Sequence, residues 1–210
     1  MKVVVSPYDP AWEAHFERHR AIIRSALSRL EPSIDHIGST ALKSIGAKPI
    51  IDILVGLPAT VSLDGAVTPL LAGGYAYIQK FDAAMPYRRF FAKLENLTAG
   101  PLPAVIGDGD DFALGRDYKT SVHIHVMAKD SYHWLRHIAF RDYLLAHPDA
   151  RADYHRLKQK IAVMDLADPL DYNTHKEAFI REHQDKAMAW RERRRPSAGG
   201  VRGTPPRPIG

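Results

Sequence analysis

The chain has 210 residues, 45% of them hydrophobic and 25% charged, with no cysteine and a formal net charge of +5, which suits one globular domain with its own core. That composition excludes disulfides, thiolate metal sites and cysteine nucleophiles. No run reaches the ~20 apolar residues of a membrane span, and the opening MKVVVSPYDPAW lacks the apolar stretch and cleavage site of a secretory leader, so a soluble, cytoplasmic protein with no membrane partner is expected.

Val3 to Val5 suit an edge or docking strand, stopped by Ser6-Pro7. A helix follows, with Asp9 as N-cap, Pro10 at the first helical position and Glu13 in the first turn. Trp12, Phe16, His19, Ile23, Leu27 and Leu30 recur every three or four residues as one apolar face, and Glu31-Pro32 ends the helix. Ser33 to Ile37 reads as a strand leading into Gly38-Ser39-Thr40. Residues 50–55 read as a central strand covered on both faces, interrupted by Asp52. A helix is expected over 61–72, strands over 75–79 and 87–94, a polar insertion over 95–119 and a strand over 121–127. Helices follow over 132–146, from Pro148 to about 164, and over 169–190.

Residues 191–210 hold six arginines against one glutamate, so the tail carries the whole net charge and the body is neutral. A neutral body lacks the excess basic charge that non-specific nucleic-acid binding needs. The tail, rich in Arg, Pro and Gly with almost no apolar residues, is expected to be disordered. A mixed set of strands with one early helix and a run of late helices argues for an α+β mixed sheet with a helical C-terminal extension, residues 1–190 forming one domain. No glycine-rich dinucleotide loop or Walker-type phosphate loop is present.

Four features could carry chemistry. Gly38-Ser39-Thr40 at a strand end offers backbone amides and hydroxyls to a phosphate, or serves only as a turn and cap. Asp52 inside an apolar strand is costly to bury and must be paired, hydrogen-bonded or bound to a cation. Leu54 shares its face, so no second carboxylate stands at that spacing. His123 and His125 alternate onto one face of a strand and can converge on a metal or phosphate, or serve as ordinary hydrogen-bonded histidines. Lys48, Arg88 and Arg89 are basic, but alternation allows only one of the two arginines to face a pocket with the histidines. His133 and His137, four apart on a helix, have ligand spacing without the glutamate of a zinc protease.

Read together, YDPAWEAHFE, IDHIGSTALKSIGAKPIIDILVGL, RRFF, HIHV, HIAFRDYLLAHPDARADYHRLK and KEAFI resemble the GrpB family over residues 3–185. The resemblance implies a nucleotidyltransferase-like fold, in a domain also found fused to dephospho-CoA kinase. In nucleotidyltransferases a Gly-Ser pair grips the triphosphate and two or three strand carboxylates hold two magnesium ions. By position this implies phosphate binding at Gly38, Ser39 and Thr40, with Lys48 and Arg88 or Arg89, and a metal and catalytic site of Asp52, His123 and His125. Leu54 stands where the second carboxylate would be. Ala41 to Gly46 replaces a Val-Pro-Gly-Leu run common in relatives, and the 95–119 insertion looks longer than theirs, either closing over the pocket or acting as a spacer. The expectation is a divergent nucleotidyltransferase-like protein binding a nucleotide or phosphorylated metabolite with a divalent metal, magnesium foremost. The alternative is a non-catalytic binding module that has lost the second metal carboxylate.

Overall fold

The computed structural model describes residues 4–110, 117–164 and 171–194. Its element order is helix α1 (Ala11–Ala26), strands β1 (Ser33–Ile37) and β2 (Ile51–Leu57), helix α2 (Val67–Ala72), strands β3 (Ala76–Tyr77), β4 (Arg88–Asn96) and β5 (Tyr118–Ala128), then helices α3 (Tyr132–Ala146), α4 (Pro148–Ala162) and α5 (Asp171–Arg193). The five strands form one mixed sheet in the order β1-β2-β5-β4-β3. Only the central β2–β5 pair is parallel, and it is covered on both faces, as its apolar sequence requires.

Alternation along the strands builds two cores. Ile51, Ile53, Val55, Phe91, Val122, Ile124 and Val126 face α1 and α2, where they meet Trp12, Phe16, Ile23 and Leu70. On the opposite face Ile37, Leu54 and Met127 pack under Trp134 and Ile138 of α3. The late helices join the sheet through α3. Tyr154 of α4 and Phe179 and Ile180 of α5 pack with Leu144 and with Leu42 and Ile45 from the β1–β2 connection. Arg141 ties α3 to β1, donating to Asp35 Oδ1 at 3.2 Å and to the His36 carbonyl at 3.1 Å.

Several boundaries differ from the sequence expectation. Asp9 does accept the Ala11 N–H through Oδ1 at 2.9 Å, although the N-cap position falls on Pro10. The first helix stops at Ala26, and a 3₁₀ turn over Ser28–Leu30 completes its apolar stripe before Glu31 takes a left-handed conformation. The helix expected over 61–72 divides into a 3₁₀ turn, Leu63–Ala66, and α2. The strand expected over 75–79 shortens to Ala76–Tyr77. At the N-terminus only a single bridge, Ser6 to Ala47, forms.

Both ends of the expected 95–119 insertion belong to the sheet, because β4 continues to Asn96 and β5 begins at Tyr118. Its middle adds to the sheet edge: Tyr77 and Val105 form a parallel bridge, and Ile106 is buried against Ala76, Ile78, Ala92 and Leu94. The described part of this segment therefore extends the β3 edge. Residues 111–116, 165–170 and the tail from 195, with the disorder expected of it, lie outside the described residues, as does Val3.

Candidate anion pocket

The parallel register places Asp52 directly beside His123, and Leu54 beside His125. On the other side of β5, antiparallel pairing sets Phe90 against His125 and Arg88 against Met127. The period of two then puts Asp52, His123, His125, Phe90 and Arg88 on the same face of three adjacent strands, the face covered by α3. His123 Nδ1 lies 3.3 Å from Asp52 Oδ1, and His125 Nε2 lies 3.9 Å from the same oxygen. Phe90 packs against both imidazoles, with ring centroids 5.2 and 5.1 Å away.

Hydrogen bonding sets the histidine tautomers. Arg88 Nη1 lies 3.3 Å from His125 Nδ1. A guanidinium can only donate, so Nδ1 accepts and the proton sits on Nε2, the nitrogen turned to Asp52. His123 Nε2 lies 3.1 Å from Thr120 Oγ1, which fits a hydroxyl donating there while Nδ1–H faces the carboxylate. Burial alone would raise the Asp52 pKa, yet the two imidazoles hold it well below the usual carboxylate range. Burial pushes His125 down, against the pull of Asp52 and with help from Arg88. The arrangement is an ionised Asp52 beside a neutral His125, with His123 Nδ1 facing the same carboxylate oxygen.

Gly38 lets the backbone lie against this carboxylate. Its φ is +69 and ψ −168, a region essentially reserved for glycine. A Cβ there would overlap Asp52 Oδ2 and come within 2.8 Å of Asp52 Cβ. The following Ser39 reaches α4, its Oγ 3.4 Å from the Tyr154 hydroxyl. Thr40 is different. Its hydroxyl donates to the Ile50 carbonyl at 3.2 Å and accepts from His36 Nε2 at 3.0 Å, so it is committed to the fold and is not placed to meet a phosphate. His36, stacked on Phe16 at 4.6 Å, is a core histidine pushed down to about 4 by burial.

The remaining basic residues divide. Arg88 faces the histidines, whereas Arg89 turns to the opposite face and pairs with Asp64 at 2.5 Å and Asp82 at 3.4 Å. Arg89 is therefore corrected out of the phosphate-binding set, by the alternation that admits one arginine of the two. Lys48 is half-buried and its pKa is lowered by burial. Lys176 of α5 stands near it. Burial and then the Lys48 charge push Lys176 down to about 8, opposed by Asp52.

Two residues join the site beyond those the sequence motifs assign to it: Lys176, and His137, which the sequence singles out only for its spacing from His133. Lys176 opens the KEAFI segment, but nothing in a helical sequence tells which strand residue it meets. His137 of α3 sits with its ring centroid 5.9 Å from that of His125 and is pushed down to about 3, first by burial and then by His125 and the neighbouring arginines. Its helical partner His133 does not meet His125. It stacks on Tyr87 at 3.5 Å instead, so the four-residue histidine spacing does not make a ligand pair.

These residues do not fit a two-magnesium centre. Leu54, in the second-carboxylate position, is 0% exposed and packed in the Trp134–Ile138 cluster. Among the described residues Asp52 is the carboxylate that both imidazoles face, and Lys176 already brings a positive charge toward it. Among the described residues no group of three His, Asp or Glu side chains is arranged to hold a metal ion. Two surface grooves of about 640 and 620 Å³, one between α1 and α2 and one beside Ser6 and His155, are lined by none of these residues. No helix of the described residues is long and apolar enough to cross a membrane.

Comparison with known proteins supplies a family. A UPF0157 protein of Pseudomonas aeruginosa is 32% identical over 202 residues, 96% of this chain and 74% of that protein. A dephospho-CoA kinase of Mycolicibacterium paratuberculosis is 31% identical over 192 residues, 88% of this chain but 46% of the kinase. The crystal structure of conserved protein GrpB from Enterococcus faecalis matches with a TM-score of 0.70 and 27% identity over 90% of this chain and 99% of that one. Cid1 poly(U) polymerase bound to MgGTP matches at a TM-score of 0.37 and 14% identity over 74% of this chain and 45% of that one, a likeness that carries no inference about activity. The family described as GrpB protein matches residues 2–186, and the chain belongs to the GrpB family.

Proposed function

We propose that this protein binds a phosphorylated small molecule, in class a nucleotide, in the pocket over Asp52. The observation that carries the reading is the pair of basic routes to Asp52: Lys176 of α5, which feels both Lys48 and Asp52, and Arg88 of β4, bonded to the His125 that faces the same carboxylate. Each of these cations is partly desolvated by the fold, a cost that a phosphate group offsets. Gly38 and Ser39 border the same carboxylate with the backbone of a tight turn. Protein cations neutralise the ligand here, and no step requires a magnesium ion.

A second reading, nucleotidyl transfer, is favoured by the Asp52–His123 pair. An ionised carboxylate facing Nδ1–H orients the imidazole and leaves Nε2 to take a proton from an attacking hydroxyl, displacing the bond from Thr120. Transfer would then form the hydroxyl O–P bond as the bond to the pyrophosphate leaving group breaks. Binding comes first in the test.

Calorimetric titration of the full chain with ATP, in EDTA and again with magnesium, is expected to show binding in both. Lys176→Gln should weaken it by about tenfold or more, the loss of one charge-assisted hydrogen bond of roughly 1.5–3 kcal/mol, while Arg89→Gln should bind as wild type does. No heat with ATP, ADP or inorganic phosphate at millimolar concentration, or a Lys176→Gln variant that binds as tightly as wild type, would overturn the reading.

A further inference from the structure

We propose that Arg88 and Arg136 form a second anion subsite in this pocket, so that the ligand carries at least two linked phosphates. The inference rests on the phosphate-binding reading above and adds the number of anionic groups to it.

The two guanidiniums come from different layers. Arg88 projects from β4 on the face it shares with His125, and Arg136 projects from α3, which covers that face. Arg88 spends Nη1 on His125 and lies with its guanidinium carbon 4.9 Å from the centre of the Phe90 ring. Its Nε is buried and has no hydrogen-bond partner, and the same is true of Arg136 Nε. His133 Nδ1, one helical turn before Arg136, is a third buried and unpartnered nitrogen. Buried N–H groups are almost always bonded, and leaving one unmet costs more when the group is charged. Two such donors on two neighbouring arginines point to an oxyanion as the missing acceptor.

No carboxylate among the described residues fills that role. Among the described residues neither arginine forms an ion pair. Asp82, whose charge Arg88 does feel, is engaged through Oδ2 by the Tyr77 hydroxyl and by Arg89, and its buried Oδ1 bonds to neither Arg88 nor Arg136. The Arg136 charge reaches His133, His137 and Arg88, lowering the pKa of each. A guanidinium pair also suits phosphate geometry, because each offers a planar fork of donors.

The subsite is separate from the lysines. Arg88 reaches Asp52 only across His125, and the charges it feels are those of Tyr87, Arg136 and Asp82, with neither lysine among them, whereas Lys176 of α5 feels Lys48 and Asp52. Two sets of cations that do not feel each other call for two anionic groups, and a diphosphate or longer chain has one for each. Tyr87, stacked on His133, borders the arginine side with an aromatic surface.

The test is calorimetric titration of the full chain, in EDTA, with inorganic phosphate and with pyrophosphate. Wild type is expected to bind pyrophosphate about tenfold or more tighter than phosphate. Arg136→Gln should weaken pyrophosphate binding about tenfold or more and so remove that preference, and Arg136→Lys, which keeps charge but not the fork, should restore part of it. If Arg136→Gln fails to fold by circular dichroism, Arg136→Lys alone decides, with a selective loss for pyrophosphate expected. Wild-type phosphate binding combined with an unaltered pyrophosphate preference in the folded variants overturns the subsite and leaves the phosphate-binding reading standing. Absence of binding to either probe removes that reading and the subsite with it.

Discussion

Replacing Gly38 by alanine tests how tightly the turn after β1 is fitted to Asp52. The backbone cost comes first. At φ +69 and ψ −168 a residue with a Cβ is strained by about 1–3 kcal/mol. The new methyl would also overlap Asp52 Oδ2 and approach its Cβ to 2.8 Å, so the carboxylate must leave Oδ1 at 3.3 Å from His123. Losing that charged contact adds roughly 1.5–3 kcal/mol. Gly38→Ala should therefore unfold at a temperature about 10 °C below wild type, since 1 kcal/mol moves Tm by about 2–4 °C in a domain of this size. It should also lose ATP binding. Gly65→Ala is the control, because its Cβ would meet only Leu30 methyls at 3.7 and 4.0 Å, and its stability should stay within about 0.5 kcal/mol of wild type. Thermal and urea unfolding followed by circular dichroism measure both. If Gly38→Ala is as stable as the control and still binds ATP, the close approach of this turn to Asp52 has been misread.

Lys158 gives a pH test. It is 1% exposed, donates to the Gly46 carbonyl at 2.6 Å, and is pushed down to about 7 by burial and then by Lys176. The unfolded chain then binds more protons than the folded one above pH 7, so stability should rise with pH, by on the order of 2 kcal/mol between pH 7 and 9. Urea midpoints of Lys158→Met should rise distinctly less over that window, and an identical rise in both proteins would refute the assignment. Leu54→Asp tests the missing carboxylate directly. A charge among Trp134, Ile138 and Met127 costs several kcal/mol, so the variant should lose cooperative unfolding, and a folded variant that gained magnesium binding would contradict the packing described for this face.

What was legible in the sequence was whatever depends on near neighbours. The 3.6 period fixed α3 over Tyr132–Ala146 as expected, and the period of two showed that His123 and His125 share a face and that Arg88 and Arg89 cannot. Asp52 stood out because a carboxylate in an apolar strand demands a partner. Spacing alone showed that Leu54 shares the face of Asp52, and the family resemblance identified it with the second-carboxylate position. Long-range pairing was not legible. The parallel register that sets Asp52 against His123 depends on two segments some seventy residues apart, and only the packed sheet chooses it. Thr40 reads as a phosphate ligand by its motif, yet the fold spends its hydroxyl on His36 and Ile50. Lys176, His137 and Arg136 lie on helices whose sequence gives a face but no address. By itself, then, the chain determined its elements, its neutral body and a lone strand carboxylate, because these follow from local geometry and composition. Tertiary structure decided which cations surround that carboxylate and which polar groups are spent on the fold, because those depend on where α3 and α5 dock.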